Sequence, residues 1–150
     1  MTHDICLRAA EPQGLPFCRR LYFENMGWII EALKLDTVRQ SAGFTQQWRV
    51  AEVRIISVAD EDVGWLQAAP APDAIFLGQL YLARRLQRQG IGSRVMQNLI
   101  EEATLARKAI TLAMVKINPA RGLYERLGFR GTHRFDAMVW DKLDGHPGPV

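Results

Sequence analysis

The turn formed by residues 87–93, QRQGIGS, places the strongest constraint on the fold of this chain. It follows an apolar segment typical of a strand, residues 75–83, and opens an amphipathic helix over residues 91–107. Gly90 and Gly92 let the backbone approach a ligand closely. The first amides of the helix lack partners within the helix, so they can bind an anion such as a pyrophosphate. The pattern therefore predicts a strand–turn–helix unit that binds a phosphate-bearing molecule.

Two other glycine-rich phosphate loops do not match this turn. A Walker A loop requires a lysine directly after its last glycine, whereas Ser93 follows Gly92. A dinucleotide-binding fingerprint requires a third glycine or alanine, and an acidic residue about 20 positions further on. Val95 and Ile110 occupy those two positions. The pattern that remains is Q-x-x-G-x-G after a strand, and a tight strand-to-helix turn without a ligand is its alternative interpretation.

A second segment, residues 118–129, has the pattern of a short capped helix. Asn118 can cap this helix, Pro119 suits its first turn, and Gly128 can adopt the left-handed conformation that ends it. Tyr124 lies within the helix. The two segments stand one helix and one strand apart. In this order and spacing they resemble the two signature motifs of the GNAT acyltransferase superfamily, and the resemblance extends over residues 74–140.

The resemblance implies an α/β fold of the GNAT type, with a mixed central sheet, a splayed parallel strand pair and flanking helices. The parallel strands would be residues 75–83 and 110–117. The implied cofactor is acetyl-CoA, whose thioester carbonyl would be polarised by an amide near Leu82. The residues that the resemblance assigns to the cofactor are Leu80, Tyr81, Leu82, Gln87, Arg88, Gln89, Gly90, Ile91, Gly92, Ser93, Asn118, Arg121 and Tyr124.

The chemistry that the resemblance implies is direct transfer of an acetyl group from the thioester to a primary amine. Tyr124 matches the family's tyrosine near the cofactor sulfur and is the predicted general acid, with simple core packing as the alternative. Glu24 is the predicted general base or acceptor ligand, with a solvated surface carboxylate as the alternative. Gln79 is predicted to orient the acceptor, because an amide is not a base. Trp28 is predicted to line the acceptor pocket.

Two other classes of function remain open. Residues 75–83 carry Gln79 and Tyr81 where many superfamily members have a carboxylate, so the first alternative is an acyl-CoA-binding regulatory module without turnover. The second is a domain that binds nucleic acid or protein through a cluster of arginines. We expect no nucleic-acid partner, because no aromatic stacking platform accompanies this cluster. The cluster comprises Arg84, Arg85, Arg88 and Arg94 in a chain of net charge +3.

Composition bounds the organisation of the chain. Its 150 residues, 48% of them hydrophobic, suffice for one domain, which we predict over residues 1–143 with a disordered tail over residues 144–150. Cys6 and Cys18 lack metal-ligand spacing, so we expect two reduced core residues and no metal. No signal peptide or membrane span is evident, and we expect a cytoplasmic protein without a membrane partner. The expected partner is a small-molecule or peptide amine acceptor, and a homodimer is also considered.

Hydrophobic periodicity predicts the remaining elements. Gly27 is expected to separate a first helix, residues 14–26, from a second helix that begins at residue 35 or 36 and ends at residue 47. Residues 60–62 are expected to form the turn of a hairpin. The predicted strands are residues 5–9, 53–59, 63–68, 75–83, 110–117, 129–135 and 138–143.

Overall fold

The structure, a computed structural model, describes residues 4–115, 117–135 and 138–143. The chain forms two compact units. The first comprises Met1–Gln67 and Gln79–Ile91, and the second comprises Ala68–Gly78 and Gly92–Val150, each as far as it is described. The tail predicted over residues 144–150 lies outside the described residues. The single domain over residues 1–143 stays a prediction.

The first unit combines two helices with antiparallel strands. Its elements are β1 (Ile5–Ala9), α1 (Leu15–Ala32), α2 (Thr37–Gln47), β2 (Val53–Val58) and most of β3 (Glu61–Pro70). The last residues of β4 (Ala74–Leu82) also belong to it, followed by a 3₁₀ turn over Arg84–Leu86. β2 pairs with both β1 and β3.

The core of the first unit is formed by α1, α2, β2 and β3. Apolar residues of α1 recur at three- and four-residue steps and are buried on one face. The indole N–H of the fully buried Trp65 donates to the carbonyl oxygen of Cys18 at 3.0 Å, which satisfies its polar group. The buried core residues are Cys18, Leu21, Tyr22, Ile30, Phe44, Val53, Ile55 and Trp65.

The second unit contains a parallel strand pair and the chain's last antiparallel strands. Its elements after the start of β4 are α3 (Ile91–Leu105), β5 (Ala109–Val115), α4 (Arg121–Arg126), β6 (Arg130–Phe135) and β7 (Met138–Leu143). β4 and β5 run parallel, from Ala74 opposite Ala109 to Leu77 opposite Leu112. β7 pairs antiparallel with both β5 and β6.

The strands are hydrogen-bonded in the order β1-β2-β3-β4-β5-β7-β6. A parallel pair requires a crossover connection between its strands, and α3 provides it between β4 and β5. The prediction of a mixed α/β fold with a parallel pair at its centre is therefore confirmed.

The break predicted at Gly27 is wrong, because α1 is continuous from Leu15 to Ala32. Glycine costs a helix interior about 1 kcal/mol relative to alanine. Ile29 and Ile30 are buried beyond Gly27 and continue the apolar face, so packing outweighs this cost. Neither α1 nor any other helix in the described part of the chain is long and apolar enough to cross a membrane.

Three helices, α1, α3 and α4, end in the same Schellman motif. The left-handed residues are Lys34, Arg107 and Gly128, with φ of 55°, 56° and 99°. In each motif the next N–H bonds to the carbonyl oxygen five residues earlier: Leu35 to Ile30, Lys108 to Ala103 and Phe129 to Tyr124. Only the third motif has glycine at its left-handed position, and glycine is the residue by which a sequence pattern predicts the end of a helix. The pattern therefore missed the end of α1 and placed the end of α3 two residues late.

The turn of the β2–β3 hairpin lies earlier than predicted. Val58 pairs with Glu61, which leaves Ala59 and Asp60 as the loop. Both are left-handed, with φ of 51° and 66°. Two consecutive left-handed residues are typical of the tight hairpin turns whose twist matches that of the strands. Alanine is rare at such a position, so the sequence favoured residues 60–62.

The two cysteines differ in environment. Cys18 is fully buried, and burial raises the pKa of its thiol to about 11, in keeping with a reduced core residue. Cys6 is exposed, so its prediction as a core residue is wrong. β1 stands at the end of the strand order, and successive side chains of a strand point to opposite faces. An edge strand with one open face places Cys6 outside the core.

We expect Gly128→Ala to destabilise the protein by about 1 kcal/mol, because an L side chain disfavours its left-handed conformation. Gly43→Ala is the matched control. Gly43 lies within α2, and a Cβ there meets nothing within 4 Å, so alanine should stabilise the protein by up to about 1 kcal/mol. Urea unfolding measures both variants. Changes of the same sign in the free energy of unfolding would contradict the left-handed cap at Gly128.

Candidate functional site

The turn at residues 87–90 lies in the first unit, directly after the 3₁₀ turn that follows β4. Arg88 and Gly90 are left-handed, with φ of 64° and 80°. A Cβ at Gly90 meets nothing within 4 Å, so this position faces open space. α3 begins at the next residue. The turn therefore places a residue without a side chain beside the unpaired amides of a helix start, which suits an anion.

The first residues of α3 differ in exposure. Ile91 is 1% exposed, so its side chain belongs to the core. Gly92 and Ser93 follow in the first turn of α3, in the second unit, and are partly exposed. The predicted cofactor contacts of these three residues stay predictions.

The glutamines of the turn bond to the protein. The Nε2 atom of Gln87 donates to the carbonyl oxygen of Leu82 at 3.0 Å and to Oδ1 of Asn25 at 2.6 Å. The Nε2 atom of Gln89 donates to the carbonyl oxygen of Arg85 at 2.8 Å. Both amide groups thus hold the turn in place, and their predicted cofactor contacts stay predictions.

The arginines of the cluster differ in their bonding partners. The Arg84 guanidinium donates to the carbonyl oxygen of Glu24 at 2.9 Å, and Arg85 forms an ion pair with Glu61 at 2.6 Å. Arg88 is exposed and forms no hydrogen bond or ion pair with any described residue. Arg94 lies on α3, in the second unit. In the first unit, Arg88 is therefore the arginine best placed to meet an anion at the turn.

The end of β4 is positioned by Gly64 on β3. A Cβ at Gly64 would lie 2.4 Å from the carbonyl oxygen of Tyr81 and 2.8 Å from Cδ2 of Leu82. Such distances are sterically forbidden, so the two strands can approach as they do only because residue 64 is glycine. The N–H of Ala83 then donates to the carbonyl oxygen of Val63 at 2.8 Å. This contact fixes the backbone at Tyr81 and Leu82, where the thioester is predicted to bind.

Aromatic rings surround Tyr81 in the first unit. Its ring centroid lies 5.6 Å from that of Tyr22 and 5.4 Å from that of Trp65. Its hydroxyl donates to Oε1 of Gln79 at 2.5 Å. Gln79 is thereby oriented by Tyr81, which leaves its amide N–H groups to other partners. This arrangement is compatible with the predicted role of Gln79 in orienting an acceptor.

Glu24 on α1 is partly buried rather than fully solvated. Its Oε2 atom is buried and has no hydrogen-bond partner in the described structure. A buried carboxylate oxygen without a donor is unfavourable, so this atom is suited to a cation or a hydrogen-bond donor from outside the chain. Trp28 lies one helical turn further along α1 and is 45% exposed. The two side chains therefore stand close in sequence on one helix, as the predicted acceptor site requires.

Tyr124 lies in α4, in the second unit, and is 7% exposed. Its ring meets that of Phe129 edge to face, with centroids 5.5 Å apart, and this contact accompanies the Schellman motif that ends α4. Burial raises the pKa of the Tyr124 hydroxyl well above its usual range. A raised pKa makes the hydroxyl a weaker acid, so it does not itself support the predicted role of Tyr124 as general acid, which stays a prediction.

Asn118 supports the start of α4 from outside the helix. Its Oδ1 atom accepts a hydrogen bond from the N–H of Ala120 at 2.9 Å. Ala120 is the N-cap residue, so the prediction that Asn118 itself caps the helix is wrong by two positions. The cause is the intervening Pro119, which starts a turn before the helix rather than the helix itself. Arg121, at the start of α4, forms an ion pair with Glu125 at 3.8 Å.

The predicted site residues are distributed over both units. In the first unit Arg84 bonds to the carbonyl oxygen of Glu24. Asn25 and Gln87 both bond to the carbonyl oxygen of Leu82, and they bond to each other. The second unit contains Gly92, Ser93, Asn118, Arg121 and Tyr124. The sequence pattern did not single out Asn25 or Gly64. Gly64 was detectable in principle, because a glycine inside a strand pattern signals a close backbone approach, whereas Asn25 carries no such signal.

Several solved structures are similar to this chain in fold. One is the PaiA N-acetyltransferase from Thermoplasma acidophilum in complex with coenzyme A, with a TM-score of 0.79 and 11% identity over 94% of this chain and 99% of that chain. A second is the ribosomal-protein-S18-alanine N-acetyltransferase from Escherichia coli, with a TM-score of 0.73 and 16% identity over 97% of this chain and 96% of that chain. A third is a GNAT family acetyltransferase from Elizabethkingia anophelis with acetyl-CoA bound, with a TM-score of 0.67 and 14% identity over 94% of this chain and 98% of that chain.

The sequence itself matches a family model. Residues 45–131, more than half of the 150-residue chain, match the model described as Acetyltransferase (GNAT) domain. A search of curated protein sequences found no match. The matched segment contains the glycine turn, the parallel strands and Tyr124, which are the features that the resemblance rested on. The chain belongs to the GNAT acetyltransferase family.

Proposed function

We propose that this chain is an N-acetyltransferase that transfers an acetyl group from acetyl-CoA directly to a primary amine. The observation that carries the proposal is the turn at residues 87–90, with its left-handed Gly90 facing open space directly before α3. Family membership supports it, as do the coenzyme A and acetyl-CoA present in two structures of similar fold.

In this proposal the cofactor is held mainly by backbone groups. The amides of residues 90–93 bind the pyrophosphate, and Arg88 supplies positive charge beside them. Leu80, Tyr81 and Leu82 bind the pantetheine arm through their backbone, at the point where Gly64 fixes the strand. Asn118 and Arg121 are further proposed cofactor ligands, as the resemblance implies. A site built from backbone groups explains why few specific side chains are needed around the glycines.

Tyr124 serves as the general acid. The amine nitrogen attacks the thioester carbonyl carbon, the carbon–sulfur bond breaks, and the departing thiolate takes the proton of the Tyr124 hydroxyl. Core packing and acid catalysis are compatible, because a tyrosine hydroxyl is protonated at neutral pH whether or not its ring packs against Phe129.

Glu24 serves the acceptor side. Its buried Oε2 atom, without a partner in the described structure, accepts the amine proton directly or through water, or binds a cationic acceptor. Trp28 lines the acceptor pocket, and Gln79, oriented by the Tyr81 hydroxyl, donates to the acceptor. The acceptor is a small-molecule or peptide amine.

One observation favours a second function. β4 reads AIFLGQLYL and carries no carboxylate, so a base on this strand is absent. An acyl-CoA-binding regulatory module would need no base. Release of coenzyme A in the presence of a panel of amines separates the enzyme from such a module, because the module binds the thioester without cleaving it.

We expect Gly92→Val to weaken acetyl-CoA binding at least about tenfold, because a side chain would stand where the pyrophosphate approaches the helix start. Isothermal titration calorimetry measures the dissociation constant. Gly43→Val is the matched control, since it makes the same change within α2, where a Cβ meets nothing within 4 Å. Equal affinity of the folded Gly92→Val protein and the wild type would remove the turn from the cofactor site.

We expect Tyr124→Phe to lower kcat roughly 10²-fold with little change in acetyl-CoA affinity, because it removes the proton donor and keeps the ring. Tyr22→Phe is the control for loss of a buried tyrosine hydroxyl and should leave kcat nearly unchanged. Single-turnover kinetics keep the chemical step rate-limiting. A Tyr124→Phe rate equal to that of the wild type would leave Tyr124 with a packing role alone.

We expect Glu24→Gln to identify the role of this carboxylate through its pH–rate profile. If Glu24 is the base, the rate falls most at low pH and recovers as rising pH supplies deprotonated amine. If Glu24 binds a cationic acceptor, the KM of the acceptor rises while kcat stays nearly constant. Glu31→Gln, further along α1, is the control for a lost helix charge. A profile and a KM that both match the wild type would exclude Glu24 from the site.

A further inference from the structure

The side chain of Asn25 on α1 links the end of β4 to the turn at residues 87–90, all within the first unit. Its Nδ2 atom donates to the carbonyl oxygens of Leu21 at 2.9 Å and Leu82 at 3.1 Å. Its Oδ1 atom accepts from Nε2 of Gln87 at 2.6 Å. Both hydrogens of the amide are used, and a reversed amide would place oxygen against oxygen. The partners therefore determine the orientation of Asn25.

The carbonyl oxygen of Leu82 is the centre of this group. It accepts hydrogen bonds from Nδ2 of Asn25 and from Nε2 of Gln87, the latter at 3.0 Å. Leu82 is the last residue of β4 and is 9% exposed, so water has little access to it. Side chains thus satisfy this carbonyl where the strand ends. The end of β4 is held from α1 on one side and from the turn on the other.

A neighbouring bond strengthens the same link. The Arg84 guanidinium donates to the carbonyl oxygen of Glu24, the residue before Asn25. Two consecutive residues of α1 therefore bond to the segment that leads from β4 into the turn. Asparagine is a poor helix former, so helix propensity does not account for its presence in the interior of α1. The three hydrogen bonds of its side chain account for its presence there.

We propose that Asn25 is a positioning residue for the cofactor: it orients Gln87, and through Gln87 the turn whose amides bind the pyrophosphate of acetyl-CoA. This inference rests on the proposed function. Asn25 acts through the turn and makes no contact with the cofactor itself. Without its bonds the turn occupies other conformations, and the apparent dissociation constant rises as the binding-competent fraction falls.

A double-mutant cycle on acetyl-CoA affinity tests the link. Asn25→Ala and Gln87→Ala are each expected to raise the dissociation constant about 5- to 10-fold, the range for loss of the hydrogen bond that joins the two side chains. The double variant should bind no more weakly than Gln87→Ala, because Asn25 acts on the turn through Gln87 and has no further effect once Gln87 is removed. Gln89→Ala is the matched control. Gln89 also bonds to a backbone carbonyl in this turn but not to Asn25, so its effect should multiply with that of Asn25→Ala.

Binding stoichiometry separates positioning from a general contribution to folding. A residue needed only for folding lowers the fraction of competent protein and hence the stoichiometry, whereas a positioning residue raises the dissociation constant at constant stoichiometry. Asn25→Ser covers the case in which Asn25→Ala does not fold. The serine hydroxyl can bond to the Leu21 carbonyl within the helix but is too short to reach Leu82 or Gln87. The same rise in dissociation constant is expected.

The outcomes distinguish a failure of the proposed function from a failure of the positioning role of Asn25 alone. A folded wild-type protein that does not bind acetyl-CoA would overturn the proposed function, and the role of Asn25 with it. Wild-type binding together with unchanged affinity of Asn25→Ser would overturn the positioning role alone. The same conclusion would follow if the effects of Asn25→Ala and Gln87→Ala multiplied in the double variant.

Discussion

The close approach of β3 to β4 at Gly64 determines where the segment from β4 to the turn at residues 87–90 lies in the first unit. With any other residue, a Cβ would stand 2.4 Å from the carbonyl oxygen of Tyr81. Because Gly64 has none, Ala83 can bond to Val63, and the chain leaves β4 in a fixed direction. The 3₁₀ turn and the turn at residues 87–90 follow within a few residues, so their placement depends on this contact. A missing side chain on one strand thus positions the turn at residues 87–90 within the first unit.

Tyr124 is a buried residue of the second unit and is also the proposed general acid. The Schellman motif at the end of α4 brings Phe129 against the ring, which packs Tyr124 into the second unit. The resulting desolvation disfavours the charged phenolate and raises the pKa of the hydroxyl. A raised pKa makes the hydroxyl a weaker proton donor, so burial by itself does not favour acid catalysis. The proposed acid role of Tyr124 therefore rests on its place in the family motif and not on its pKa.

The errors of the sequence interpretation share a physical explanation. Gly27 was expected to end α1, yet the helix continues because Ile29 and Ile30 are buried beyond it. Lys34 and Arg107 end their helices in a conformation that favours glycine. At Gly27 packing outweighs a local preference of about 1 kcal/mol. At Lys34 and Arg107 the left-handed conformation is accompanied by the hydrogen bonds of the Schellman motif. Cys6 follows the same principle, since its exposure depends on the position of β1 in the strand order.

The sequence by itself determined the strand–turn–helix unit at the glycine turn and the short helix that ends at the left-handed Gly128, because each depends on residues close together in the chain. The mixed α/β fold was predicted through the family resemblance of these two segments. Only the tertiary structure decided which partners the polar side chains take. Gln87 bonds to Asn25 and Arg84 to Glu24, across 62 and 60 positions. No local pattern specifies such pairs, because they form only when packing brings α1 against the end of β4. The buried, unpartnered Oε2 atom of Glu24 is a product of that same packing.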